Sequence, residues 1–167
     1  MFSQGEIDSV SNLDVAFVGC AVPDTPEFRT SAFSRSGNLF QVNLLQALRD
    51  AGIHPSRVLS YKPIAAWPTG PLWVAGGTVS LAGLRSKLLP FLNVTPAKQL
   101  ILGLSAAVQI LFWAWFRSTR AERVVYVYNL TVPPIAFLAI ARRFARLKLV
   151  ACVCDINIPG QTSPSNP

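Results

Sequence analysis

Val15-Ala16-Phe17-Val18-Gly19-Cys20 is a short apolar run without polar alternation. A strand solvated on one face alternates, whereas a strand covered on both faces does not. The run therefore predicts a buried strand in the middle of a sheet. A helical pattern follows at Ser36-Gly37-Asn38. Phe40, Leu44 and Leu48 recur every four residues with Leu45 beside them, and Gln41, Asn43, Gln46 and Arg49 fall among them. Ser36 or Asn38 suits the N-cap, and Gly52 supplies the stop. A second strand is expected at 57–61, where Pro63 ends it. Residues 15–61 thus read as β-α-β, the unit of a parallel sheet.

The alternation recurs near the other end. Val124-Val125-Tyr126-Val127-Tyr128 is β-branched and aromatic and predicts a strand. Asn129-Leu130-Thr131 makes its closing turn. Pro133 and Pro134 fit the first turn of a helix running to about Ala145. Arg142, Arg143 and Arg146 near that helix's end complement its dipole. Residues 147–154 form a last strand, with Asp155 at its end. Together the two halves predict an α/β fold with a Rossmann-like parallel sheet, whose functional edge lies at the strand C-termini.

Between the halves, residues 62–97 are rich in Pro, Gly and Trp. They read as a long insertion with at most a short helix around 81–89. Residues 99–116 then carry no charge for eighteen positions, flanked by Lys98 and by Arg117 and Arg120. A spanning helix needs about 20 apolar residues. Gln99, Ser105 and Gln109 interrupt this one. Three readings stay open: a helix buried against the sheet, a helix lying on a membrane, or a spanning helix. In the second, Trp113, Trp115, Arg117 and Arg120 are the membrane-contact residues. Residues 1–13 read as a flexible start, 14–158 as one domain, and 159–167 as a disordered Ser/Pro tail.

Charge narrows the partners. Only 14% of the residues are charged while 51% are apolar, against about 25% charged in ordinary soluble domains. Twelve Lys or Arg residues and one acid, Glu122, lie between Arg57 and Lys148. An anionic partner fits this bias: an anionic membrane surface or a phosphorylated ligand. Nucleic acid is not expected, because the aromatics sit in apolar runs and do not alternate with basic residues. Cys20, Cys152 and Cys154 have no zinc-site spacing and read as buried thiols. Residues 1–14 hold no basic residue, so no signal peptide is expected. His54 is the single histidine. It follows a helix-stopping glycine, at the sheet end away from the strand C-termini, and no hydrolase triad or metal cluster forms around it.

Three groups line up along the predicted functional edge: Ser36-Gly37-Asn38, Asn129 with Thr131, and Asp155. Gly37 lets backbone approach a ligand, and helix-start amides attract anions. No Gly-x-Gly-x-x-Gly or phosphate-loop motif is present. In their order and spacing, the segments 33–48, 124–134 and 148–155 resemble the N-terminal domain of family-4-type retaining glycosyltransferases, which have two Rossmann-like domains. The likeness covers about two thirds of the chain. It implies an acceptor-side domain, with Gly37 and Asn38 near the interdomain cleft and Asn129 and Asp155 near a sugar, lipid or other small-molecule acceptor. It implies a nucleotide-sugar donor held by a C-terminal domain that this sequence lacks. It implies no cofactor in this chain, and activity only with that domain or a separate subunit. It also implies a cytoplasmic protein, peripheral on the membrane face. His54 does not stand where the family's catalytic histidine would. The alternative is a non-catalytic α/β protein that associates with membrane.

Overall fold

A computed structural model of the chain describes residues 13–30, 32–95, 97–117, 121–128 and 132–152. The elements in chain order are β1 (Leu13–Gly19), α1 (Arg35–Asp50), β2 (Arg57–Ser60), β3 (Trp73–Val74), β4 (Gly77–Leu81), β5 (Leu84–Leu88), β6 (Phe91–Leu92), α2 (Ala97–Phe116), β7 (Glu122–Tyr128), α3 (Val132–Ala145) and β8 (Lys148–Cys152).

The opening apolar run is the centre of the sheet. Val15, Ala16, Phe17 and Val18 are each at most 1% exposed, because both faces of β1 are covered. Ala16 and Val18 pack with residues of α2 and α3, while Phe17 packs with Leu45 of α1 on the opposite face. The strand order is β4-β5-β2-β1-β7-β8. In this six-stranded sheet β5, β2, β1, β7 and β8 run parallel and β4 is antiparallel, while β3 and β6 form a separate antiparallel pair. The chain is thus a mixed α/β protein with a largely parallel central sheet. After β1 the chain steps to β2 on one side, and it returns at β7 on the other. The point where order reverses therefore lies between β1 and β7, which is where open α/β sheets form their crevice.

The helix expected around 81–89 is replaced by a β-hairpin. Val79, Leu81, Leu84, Ser86 and Leu88 alternate with period two, and Leu81, Ser86 and Leu88 are buried. Ala82 and Gly83 turn the chain at φ +48° and +73°, as a two-residue hairpin loop of the type I′ class requires. Arg49 of α1 donates to the Ala82 carbonyl and holds this turn against the helix. β5 then pairs with β2 and becomes the third parallel strand without a crossover helix of its own. Further along the insertion, Asn93 Nδ2 donates to the carbonyls of Ala65 (2.7 Å) and Pro71 (2.9 Å), tying the Pro/Gly-rich stretch to itself.

The face of α1 also differs from expectation. The buried residues are Asn38, Gln41, Leu45 and Leu48, while Phe40 is exposed. The first half of the buried face is polar because it satisfies loop backbone and does not pack on apolar strand. The N-cap is Ser34, whose Oγ accepts from the Gly37 N–H at 3.2 Å, so Ser36 and Asn38 stand inside the first turn.

Helix α2 lies on the sheet. Leu102, Ala106, Ile110 and Trp113 enter the main core with Leu59 and Val125. Trp113 Nε1 donates to Ser56 Oγ at 2.9 Å, and Ser56 donates to buried Asp14 Oδ1 at 2.5 Å. Arg117 Nε stands 3.2 Å from Asp14 Oδ2 as an ion pair without hydrogen-bond alignment. These contacts fasten the end of α2 to the starts of β1 and β2. Trp113 is therefore a core residue, and Arg117 has a structural partner. Arg120 lies outside the described residues.

Candidate functional site

At the reversal point, the C-terminal ends of β1 and β7 meet the start of α1. A hollow of about 90 Å³ opens there, lined by Cys20, Phe33, Ser34, Gly37, Gln41 and Tyr128 among others. Each wall follows from local sequence. Cys20 ends the buried strand. Gln41 sits one helical turn after Asn38 on the face of α1 turned to the sheet. Its Oε1 accepts from the Cys20 N–H at 2.9 Å. Its Nε2 donates to the Gly37 carbonyl at 3.0 Å and to Cys20 Sγ at 3.4 Å. A Cβ at Gly19 would stand 2.4 Å from Gln41 Oε1, so glycine is what lets the amide reach the strand end.

Tyr128 closes β7 and faces the helix start. A Cβ at Gly37 would stand 3.2 Å from Ser34 Oγ and 3.3 Å from Tyr128 Oη, closer than ordinary van der Waals contact, and the Phe40 ring lies 5.6 Å from the Tyr128 ring. Tyr61, just beyond β2, stands near the Cys20 thiol. Burial raises the pKa of both Cys20 and Tyr61 above the usual range of such groups. Thiol and phenol therefore stay neutral near neutral pH. The site offers neutral hydrogen-bonding groups and does not offer a thiolate nucleophile.

Iodoacetamide is accordingly expected to modify Cys20 roughly tenfold or more slowly in the folded protein than in urea. Mass spectrometry of a Cys152→Ser/Cys154→Ser variant reads this directly. Equal rates in the two states would contradict the burial argument.

Of the residues expected at this edge, the structure brings Ser36, Gly37 and Asn38 together at the start of α1. Asn38 is committed elsewhere. Its Oδ1 accepts from the Val22 N–H and its Nδ2 donates to the Val22 carbonyl, both at 2.9 Å. It shapes the loop after β1 rather than presenting an amide to a ligand. Ser36 is exposed, with its Oγ 3.4 Å from Ser34 Oγ. Asn129, Thr131 and Asp155 lie outside the described residues. Gln41 and Tyr61 were not anticipated, whereas Tyr128 ends the strand before Asn129 and Thr131. The signal for Gln41 was its place three residues after Asn38 and four before Leu45, on one helix face. Among the described residues, no group of three His, Cys, Asp or Glu could hold a metal ion. His54 is exposed beyond the end of α1.

No family model, no curated protein and no solved structure matches this chain.

Proposed function

We propose that the chain is the acceptor-side half of an enzyme that transfers a sugar from a nucleotide-sugar held by a second domain. The observation that carries this reading is the hollow at the β1/β7 reversal point. It is bounded by a helix start, by Gly37 and by neutral hydroxyl, thiol and amide groups suited to a hydroxylated acceptor. The resemblance of the segments around 33–48 and 124–134 to family-4-type glycosyltransferases points the same way. The test is transfer of labelled sugar from nucleotide-sugars to acceptors in a membrane extract, with the chain alone and with a donor-binding domain supplied in trans. Transfer confined to the combined sample, and lowered about tenfold or more by Gly37→Val, supports the proposal. Absence of transfer with every donor domain and nucleotide-sugar tried would remove it.

A second reading, attachment to the cytoplasmic face of a membrane, is favoured by the outward side of α2. Leu100, Leu104, Val108, Phe112, Trp115 and Phe116 are all exposed there, Phe116 at 80%. Ile140 and Phe144 of α3 are exposed as well, and Arg142, Arg143 and Arg146 beside them are open to solvent. The opposite side of α2 is packed on the sheet, so the helix suits lying on lipid and not crossing it. Trp115→Ser/Phe116→Ser is expected to leave the urea midpoint nearly unchanged and to lower flotation with anionic liposomes about tenfold. Raised salt should weaken the remaining binding through the arginines. Flotation indifferent to the substitutions would contradict this docking face.

A further inference from the structure

The β4–β5 hairpin creates a second, larger hollow that the proposed acceptor site does not use. It measures about 660 Å³ and is lined by Arg57, Thr78, Arg85 and Lys87 with the backbone of Gly76 and Gly77. Register puts these side chains on one face. Leu59, which packs under α2, pairs with Lys87, and Lys87 pairs with Thr78 while Arg85 pairs with Ser80. Arg57 lies two residues from Leu59, on the same face. Three cations thus stand on the open end of the sheet beside α2.

Nothing described neutralises them. Among the described residues, no carboxylate lies within ion-pairing distance of Arg57, Arg85 or Lys87. Arg57 Nη2 and Lys87 Nζ both converge on one neutral acceptor, Gln109 Oε1 of α2. Arg57 Nε is buried and has no hydrogen-bond partner. Two converging cations sharing a single neutral amide oxygen, with Arg85 beside them, is an arrangement completed by a multiply charged anion. The lining contains no aromatic side chain on which a base could stack, so a nucleotide fits less well than a plain phosphate group.

We infer that this groove binds the phosphate of a phosphorylated ligand, with Arg57, Arg85 and Lys87 as its cationic clamp. Gln109 is one helical turn from Phe112, which stacks on Phe116 at the open side of α2. A phosphate seated in the groove therefore has apolar surface beside it, which suits a phospholipid headgroup as well as a soluble phosphate. The inference is independent of the glycosyltransferase reading.

The test uses the full chain, with pyrophosphate as the soluble probe and vesicles containing phosphatidate as the lipid probe. Arg85→Gln/Lys87→Gln is the informative variant, because Arg85 is exposed and neither residue lies in the core. Arg35→Gln/Lys148→Gln removes equal charge from exposed side chains outside the groove. Binding of pyrophosphate in calorimetry, weakened roughly tenfold or more by the first variant and little by the second, is the expected result. Binding of phosphatidate vesicles alone, with the same dependence on Arg85 and Lys87, assigns the phosphate to a headgroup. Equal losses in the two variants, or no binding to either probe, overturn the inference.

Discussion

Replacing Asn38 with leucine is expected to destabilise the fold by about 2–5 kcal/mol, a large share of the roughly 5–15 kcal/mol that holds a typical domain together. The size follows from what the side chain does. Asn38 is 7% exposed and satisfies both backbone polar groups of Val22. Leucine has similar bulk and satisfies neither, and each orphaned buried group costs about 1–3 kcal/mol. Urea unfolding followed by circular dichroism measures the loss. Asn38→Asp keeps an acceptor for the Val22 N–H but sets a second oxygen against the Val22 carbonyl, so it should fall between wild type and leucine. A leucine variant with wild-type stability would show that the amide is free to serve a ligand, and would reverse the structural role assigned to it.

Phe91→Ala is expected to cost about 3–5 kcal/mol, the range for emptying a buried aromatic site. Phe91 is completely buried. The Tyr61 ring meets it edge-on with centroids 6.4 Å apart, and Lys98 Nζ stands 5.2 Å from its centroid. Lys98 also donates to the Ile64 carbonyl at 2.8 Å, and partial burial lowers its pKa. Phe91 is thus where the Pro/Gly-rich stretch is anchored to the main core. Phe112→Ala is the control: that ring lies half in solvent, and its loss should change stability by about 0.5 kcal/mol or less. Thermal unfolding of the two variants decides the matter. Equal, small effects would mean that the anchor lies elsewhere.

The parallel sheet was legible because β1 and β7 carry uninterrupted apolar or β-branched runs, and strands covered on both sides need such runs. The hairpin was not. Its hydrophobic period is two, but Gly76, Gly77 and Gly83 gave the stretch the look of a loop, and the left-handed turn falls partly on Ala82, which carries no turn signal. The true face of α1 was hidden for a different reason. Apolar periodicity marks faces that pack on side chains, whereas the start of α1 packs on bare backbone and uses Asn38 and Gln41 to do so. For the same reason, Gln41 and Tyr61 passed unnoticed beside Ser36-Gly37-Asn38. Which side of α2 meets the sheet was not legible, because this helix presents apolar residues all round and composition does not distinguish the side toward the sheet from the side toward solvent.

The central position of β1 sets a condition on biosynthesis. Its neighbour β7 begins at Glu122, 109 positions after Leu13 (122 − 13). At translation rates of about 5–20 residues per second, the ribosome needs on the order of 5–20 s to deliver that neighbour. During this interval Val15, Phe17 and Val18 sit on a nascent chain with one flank unpaired. The hairpin and β2 can shelter the other flank early, so one edge of the newborn polypeptide's central strand stays open until its second half emerges.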